Sequence, residues 1–260
     1  MGYLNNVVGY RDDLLASRSI VRHGNYALLT PDGLVKNIIP GFANCDVTIL
    51  STPKLGASFV DYLVTLHENG GNQSGFGGEG IETFLYVIKG EITAGAQGKT
   101  FALTEGGYLY CPPGERMTFS NSHSADSQLF LYKRRYIPTE GHAPYLITGN
   151  VSQLERINYE GMEDVILIDF LPKELGFDMN MHILSFEPGA SHGYIETHVQ
   201  EHGAYILSGQ GVYNLDNNWV PVKKGDYIFM GAYSLQAGYG VGREAFSYIY
   251  SKDCNRDVEI

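Results

Sequence analysis

Two stretches of this chain repeat each other at a fixed offset, and that repeat limits the fold more than any other feature. Displaced by 119 residues, the chain aligns with itself without a gap over more than 60 positions. Glu68 falls on Glu187, Gly70 on Gly189, Tyr86 on Tyr205, Gly90 on Gly209, Gly106 on Gly225, Tyr108 on Tyr227 and Lys133 on Lys252. Turn glycines and strand aromatics are matched together, so the shared unit is a series of strands and tight turns. Runs such as "ASFVDYLVTL", "TFLYVIKGEITA", "MHILSF", "AYILSGQGVYNL" and "EAFSYIYS" carry the Val, Ile, Tyr and Phe that suit strands. Turn signals such as "EPGA", "KKGD" and "PPGE" fall between them. Helical pattern is confined to 10–20, 151–157 and 171–177. The expected fold is all-β, with two tandem jelly-roll-like barrel domains over 1–140 and 141–260. Their junction is read in "IPTEGHAPYLITGN", where Pro, Gly and Thr cluster.

At 260 residues, two domains of this size each bury a workable core. The net charge of −11, from 29 acidic and 18 basic residues, argues against nucleic acid or an anionic membrane as partner. The densest basic run, "YKRRY", is read as a solvated strand end. Cys45, Cys111 and Cys254 form no CxxC pair and leave an odd number, which suits a reducing compartment. No secretory leader and no apolar run of membrane-spanning length are seen, so a cytoplasmic protein is expected. "GFGGEG" is followed by no helix and is read as a loop over a barrel mouth, not a phosphate loop.

The chemistry concentrates in "YIETHVQEHG". Residues two apart on a strand share a face, so Glu196 and His198 project together, and His202 rejoins them past a bend. A carboxylate and two imidazoles form a sound ligand set for Mn²⁺, Fe²⁺, Ni²⁺ or Zn²⁺. Taken alone, the pattern equally describes a solvated strand face or a pair of core histidines. A metal site would also need another ligand from elsewhere in the chain.

The string "PGASHGYIETHVQEHGAYILSGQG", followed by "KKGDYIFMGAYSLQAG", resembles the two motifs of the cupin superfamily. In the first motif the ligand slots hold Glu196, His198 and His202, closed by Gly209; in the second, the last ligand slot holds Gln236. An amide oxygen is a hard donor, which tilts the set toward Mn²⁺. The same slots in the first repeat hold Gly77, Glu79, Thr83 and Met117, so that domain is expected to keep the architecture without the metal.

More closely, "GFGGEGIETFLYVIKGE", "SHGYIETHVQEHGAYILSGQGVY" and "WVPVKKGDYIFMGAYSLQAGY" resemble the (S)-ureidoglycine aminohydrolase family of allantoin catabolism. That resemblance implies a Mn²⁺-dependent hydrolase that converts (S)-ureidoglycine to (S)-ureidoglycolate and ammonia. It implies metal ligation by Glu196, His198, His202 and Gln236, and substrate contacts from Tyr213, Tyr248, Lys252 and Gln236. Glu196, Lys252 and Tyr248 are the residues expected to take part in catalysis. His192 is expected either at the pocket mouth or hydrogen-bonded to a turn, with the turn preferred. A small-molecule substrate and a homo-oligomer are expected. The competing readings are a cupin dioxygenase acting on a small organic acid and a non-catalytic bicupin that binds a small ligand.

Overall fold

The structure, a computed structural model, describes residues 2–3 and 17–258. Most of the first helical candidate, 10–20, lies outside the described residues. Of the other two, only Val151–Gln153 forms a turn of 3-10 helix, and 171–177 is not helical. Among the described residues every helix is such a three-residue piece, and the rest is strands and connections. Strands such as Glu91–Ala96 and Asn218–Lys223 alternate buried and exposed side chains, the pattern of a sheet with one wet face, whereas Gly107–Cys111 and Tyr227–Met230 are buried on both faces.

The described chain divides into two compact units. Within the described residues, the first takes in 2–3, 34–53 and 58–153, and the second 17–33, 54–57 and 154–258. This departs from a single cut at 140. Strand Tyr26–Leu29 hydrogen-bonds to Tyr227–Met230 and so belongs to the second unit. Strand Ile147–Asn150, inside the expected junction, pairs with Gly107–Cys111 of the first. The two arms sit at equivalent places in the repeat, and each completes the sheet of the other repeat. Both supply edge hydrogen bonds that a sheet would otherwise leave open.

The first unit is filled with side chains. Phe42, Phe76 and Phe119 contact one another at centroid distances of 5.8–6.5 Å, and Tyr62 meets Phe76 at 5.8 Å. Met117 and Thr83 are wholly buried, and Glu79 is exposed. Lys133, the repeat partner of Lys252, lies over the rings of Tyr62 and Phe76 at 5.4 and 5.6 Å. A cation over an aromatic face is attracted by the ring quadrupole, so this lysine is used in packing.

The second unit faces an eight-stranded antiparallel sheet with a three-stranded one. The register of the large sheet sorts its inward face into rungs. One runs Asp169–His182–Tyr250–Ala204–Ile228–Leu28. The rung on one side pairs Asn180 with Lys252 and His202 with Met230. The rung on the other runs Leu167–Leu184–Tyr248–Ile206. Polar and ionisable groups therefore collect toward one end, above an apolar floor that joins the core around Phe186, Phe246 and Leu215.

Candidate metal centre

The polar end opens as a cavity of about 210 Å³. Glu196, His198, His202, Gln236, Tyr213, Tyr248 and Lys252 all line it. His202 starts the strand His202–Ser208, and Gln236 starts the strand Gln236–Val241. The segment 190–201 between strands is irregular, but it is pinned by an isolated bridge. The Glu196 and Gln236 backbones exchange both hydrogen bonds, each at 2.9 Å. A further clamp comes from Tyr233, whose N–H donates to the His198 carbonyl at 2.8 Å and whose carbonyl accepts from the Thr197 hydroxyl at 2.9 Å. Tyr233 holds a left-handed φ of 63°, a strained conformation for a non-glycine residue.

The two histidines present the same nitrogen to the cavity. His198 Nδ1 lies 3.0 Å from the Gln200 carbonyl, and His202 Nδ1 lies 2.8 Å from the Ser251 carbonyl. A carbonyl only accepts, so each Nδ1 carries the proton and each Nε2 carries a lone pair. Burial is the main force holding both rings neutral; it pushes their pKa values down, His202 most strongly. The two Nε2 atoms nevertheless stand 3.2 Å apart. Two lone pairs facing at that distance repel unless a cation or proton lies between them. The Gln236 amide nitrogen is 2.8 Å from His198 Nε2, and a half-turn of the amide presents its oxygen there instead. Two imidazoles and an amide therefore converge, with a chemistry that fits a divalent ion.

Glu196 shares the cavity wall with Tyr159, whose hydroxyl favours its charged form. His192 Nε2 lies 3.8 Å from Glu196 Oε1, on a ring that burial keeps neutral. Burial raises the Glu196 pKa, opposed by the charge of Lys252. Among the described residues no three His, Cys, Asp or Glu side chains meet in a metal-holding cluster. The convergent set is thus His198, His202 and Gln236, with Glu196 beside it.

The Tyr213 and Tyr248 hydroxyls lie 3.4 Å apart, and both residues are buried. Burial raises both pKa values, which keeps the phenols protonated at neutral pH. Gly238 makes room for the first of these rings: a Cβ there would stand 3.3 Å from it. Lys252 is half-buried, and among the described residues it has no ion-pair partner.

His192 corrects its expectation. It bonds no turn; its Nδ1 accepts the backbone N–H of Gly238, on a strand, at 2.7 Å, and the ring is buried against Phe186 and Tyr159. Burial lowers its pKa to about 4.

Sequence reasoning missed Tyr159, Asp169 and His182, which line the same cavity. "MHILSF" signals a strand, but the pairing of His182 with Asp169 depends on register between separate strands. No local spacing signal could have found it.

Two family models match the chain, a EutQ-like cupin domain over residues 55–136 and a cupin domain over 182–234. Over its full length the chain is 86% identical to (S)-ureidoglycine aminohydrolase of Escherichia coli strain K12, of which it covers 100%. It is 32% identical to (S)-ureidoglycine aminohydrolase of Arabidopsis thaliana, over 93% of this chain and 79% of that one. The crystal structure of protein Ylba from E. coli superposes with a TM-score of 0.87 at 82% identity, covering 97% of this chain and 100% of that one. With the all-β, two-unit fold and the cavity geometry, these likenesses assign the chain: it belongs to the (S)-ureidoglycine aminohydrolase family of two-domain cupins.

Proposed function

We propose that the protein hydrolyses (S)-ureidoglycine to (S)-ureidoglycolate with release of ammonia, using a divalent ion, Mn²⁺ by preference, in the second unit. The observation that carries the metal is the pair of neutral imidazole nitrogens facing each other at 3.2 Å beside the Gln236 amide. The reaction is supported by the relatives from E. coli and A. thaliana, which bear that activity as their names.

His198, His202, Gln236 and Glu196 are the residues that would hold the ion. When bound, it supplies a Lewis acid that polarises the reacting centre and lowers the pKa of water. The protein's own groups do the rest. The Lys252 ammonium takes the substrate carboxylate in a charge-assisted contact. The protonated Tyr213 and Tyr248 phenols donate hydrogen bonds to substrate oxygen. A C–O bond forms from water as the C–N bond to the amine breaks, and the proton lost by water ends on the departing ammonia. Glu196, with its pKa raised by burial, is suited to carry that proton, and the Tyr159 hydroxyl favours its charged form. The fixed Nδ1 protons of His198 and His202 keep their Nε2 lone pairs aimed inward.

The same reading places the enzyme in the cytoplasm, in keeping with three free cysteines, and in a homo-oligomer. Among the described residues no helix is long and apolar enough to cross a membrane.

The test is ammonia release from freshly prepared (S)-ureidoglycine under anaerobic conditions by protein loaded with Mn²⁺. Stoichiometric ammonia and ureidoglycolate are expected. Turnover that required oxygen, or none on this substrate, would move the protein to another cupin chemistry.

A further inference from the structure

One polar group in the cavity wall has no place in the chemistry above. His182 is 7% exposed and stacks on Tyr250, with ring centroids 5.0 Å apart. Its Nδ1 lies 2.7 Å from Asp169 Oδ1. The other Asp169 oxygen is held by Lys173 Nζ at 3.1 Å. The carboxylate is kept well ionised, chiefly by the hydrogen bond from His182, so it can only accept. The proton therefore sits on Nδ1 and the lone pair on Nε2. His182 Nε2 is buried, and among the described residues it has no hydrogen-bond partner. An unmet buried acceptor is costly, and native structures carry few of them. The His182 ring belongs to the wall of the cavity that also holds Lys252 and the metal-centre residues, with Nε2 itself covered.

We infer that His182 Nε2 accepts a hydrogen bond from the terminal NH₂ of the substrate's ureido group and so makes the site selective for ureido over acyl compounds. This rests on the ureidoglycine reading of the cavity. The substrate has N–H donors on its ureido end, whereas Lys252 can only donate and each phenol both donates and accepts through a single oxygen. A neutral imidazole with its proton held on Nδ1 supplies an acceptor that cannot also donate. Asp169 acts as a positioning residue: it fixes the tautomer, and through the tautomer the sign of the hydrogen bond. Sites with a buried polar group built for one partner discriminate strongly against an analogue that lacks it, because the group is then left unpaired.

The experiment compares two stable ligands of the Mn²⁺-loaded full chain by calorimetry, N-carbamoylglycine and its near-isostere N-acetylglycine, in which a methyl replaces the terminal NH₂. Wild type is expected to bind the carbamoyl compound roughly tenfold tighter. His182→Asn keeps a donor to Asp169 but removes the inward acceptor, and it should bring the two affinities within about twofold. Asp169→Asn, which can offer its own N–H and so reverse the tautomer, should erase the preference while leaving the ring in place. If the variants fail to fold, wild type still decides: the His182 Nε2 resonance in a ¹⁵N-imidazole spectrum should move on binding N-carbamoylglycine and not on binding N-acetylglycine. Equal affinities in wild type, or a full preference retained in His182→Asn, overturns the inference. Calorimetry reads the preference without turnover, so failure to release ammonia from ureidoglycine would sink the proposed reaction separately.

Discussion

At the scale of single residues, the site depends on groups held in a charge state that water would not favour. His182, His192 and His202 are all buried and shifted toward the neutral form. The unfolded chain takes up protons near the ordinary histidine pKa of about 6.5, and the folded chain only at lower pH. Stability is therefore fully present above pH 6.5 and declines as the solution is acidified toward the folded values. With a folded value of about 4, His192 alone accounts for up to about 3 kcal/mol of that decline. Thermal unfolding followed from pH 7 to 4.5 should show the slope, and His192→Asn should flatten it; an unchanged slope would show that this ring does not titrate on unfolding. Lys252 offers a cleaner kinetic test. Lys252→Ala should lower kcat/KM for ureidoglycine by roughly ten- to hundredfold, the loss of one sheltered charge-assisted contact. Most of that loss should appear in KM if the lysine binds the carboxylate. Gln236 was legible from its place in the second cupin motif, whereas His182 was not, because only its backbone periodicity and not its partner is written locally. Gln236→Leu should abolish turnover while shifting the melting temperature little, since the buried side chain is replaced by one of similar volume.

At the scale of elements, the five runs read as strands, from "ASFVDYLVTL" to "EAFSYIYS", all fall on strands, because their Val, Ile, Tyr and Phe suit extended backbone. What could not be read was which sheet the arms join. The aligned stretch of the repeat begins after the first arm, so Tyr26–Leu29 looked like the start of the first domain. Its apolar residues Ala27 and Leu28 are instead buried in the sheet of the second unit, Leu28 in the rung that leads to Tyr250 and His182. Strand pairing between distant segments is set by the whole sheet and leaves no local mark. The arm therefore supports the unit that holds the candidate metal centre from a position far from it in sequence. Leu28→Ala should cost about 2–5 kcal/mol as a buried large-to-small change. Denaturant titration watched by a second-unit probe such as Trp219, the single tryptophan, should report that loss; an unaffected second-unit transition would contradict the assignment of the arm.

At the scale of the whole molecule, one duplicated architecture serves two purposes. The repeat was legible because turn glycines and strand aromatics are needed by any copy of the fold. The division of labour was legible at the ligand positions, where Gly77, Glu79, Thr83 and Met117 stand in for Glu196, His198, His202 and Gln236. The structure adds the physical reason. The first unit is packed solid with Phe42, Phe76, Phe119 and Met117, and its lysine lies on aromatic rings. The second keeps a cavity whose lysine is free to meet a substrate anion. The central claim is that a divalent ion is held where the His198 and His202 lone pairs meet. The most direct test is calorimetric titration of chelator-treated protein with Mn²⁺. One site per chain is expected for wild type, and the same titration of His202→Ala should show that site lost. Stoichiometric binding that survives His202→Ala, or no binding by wild type, would contradict it.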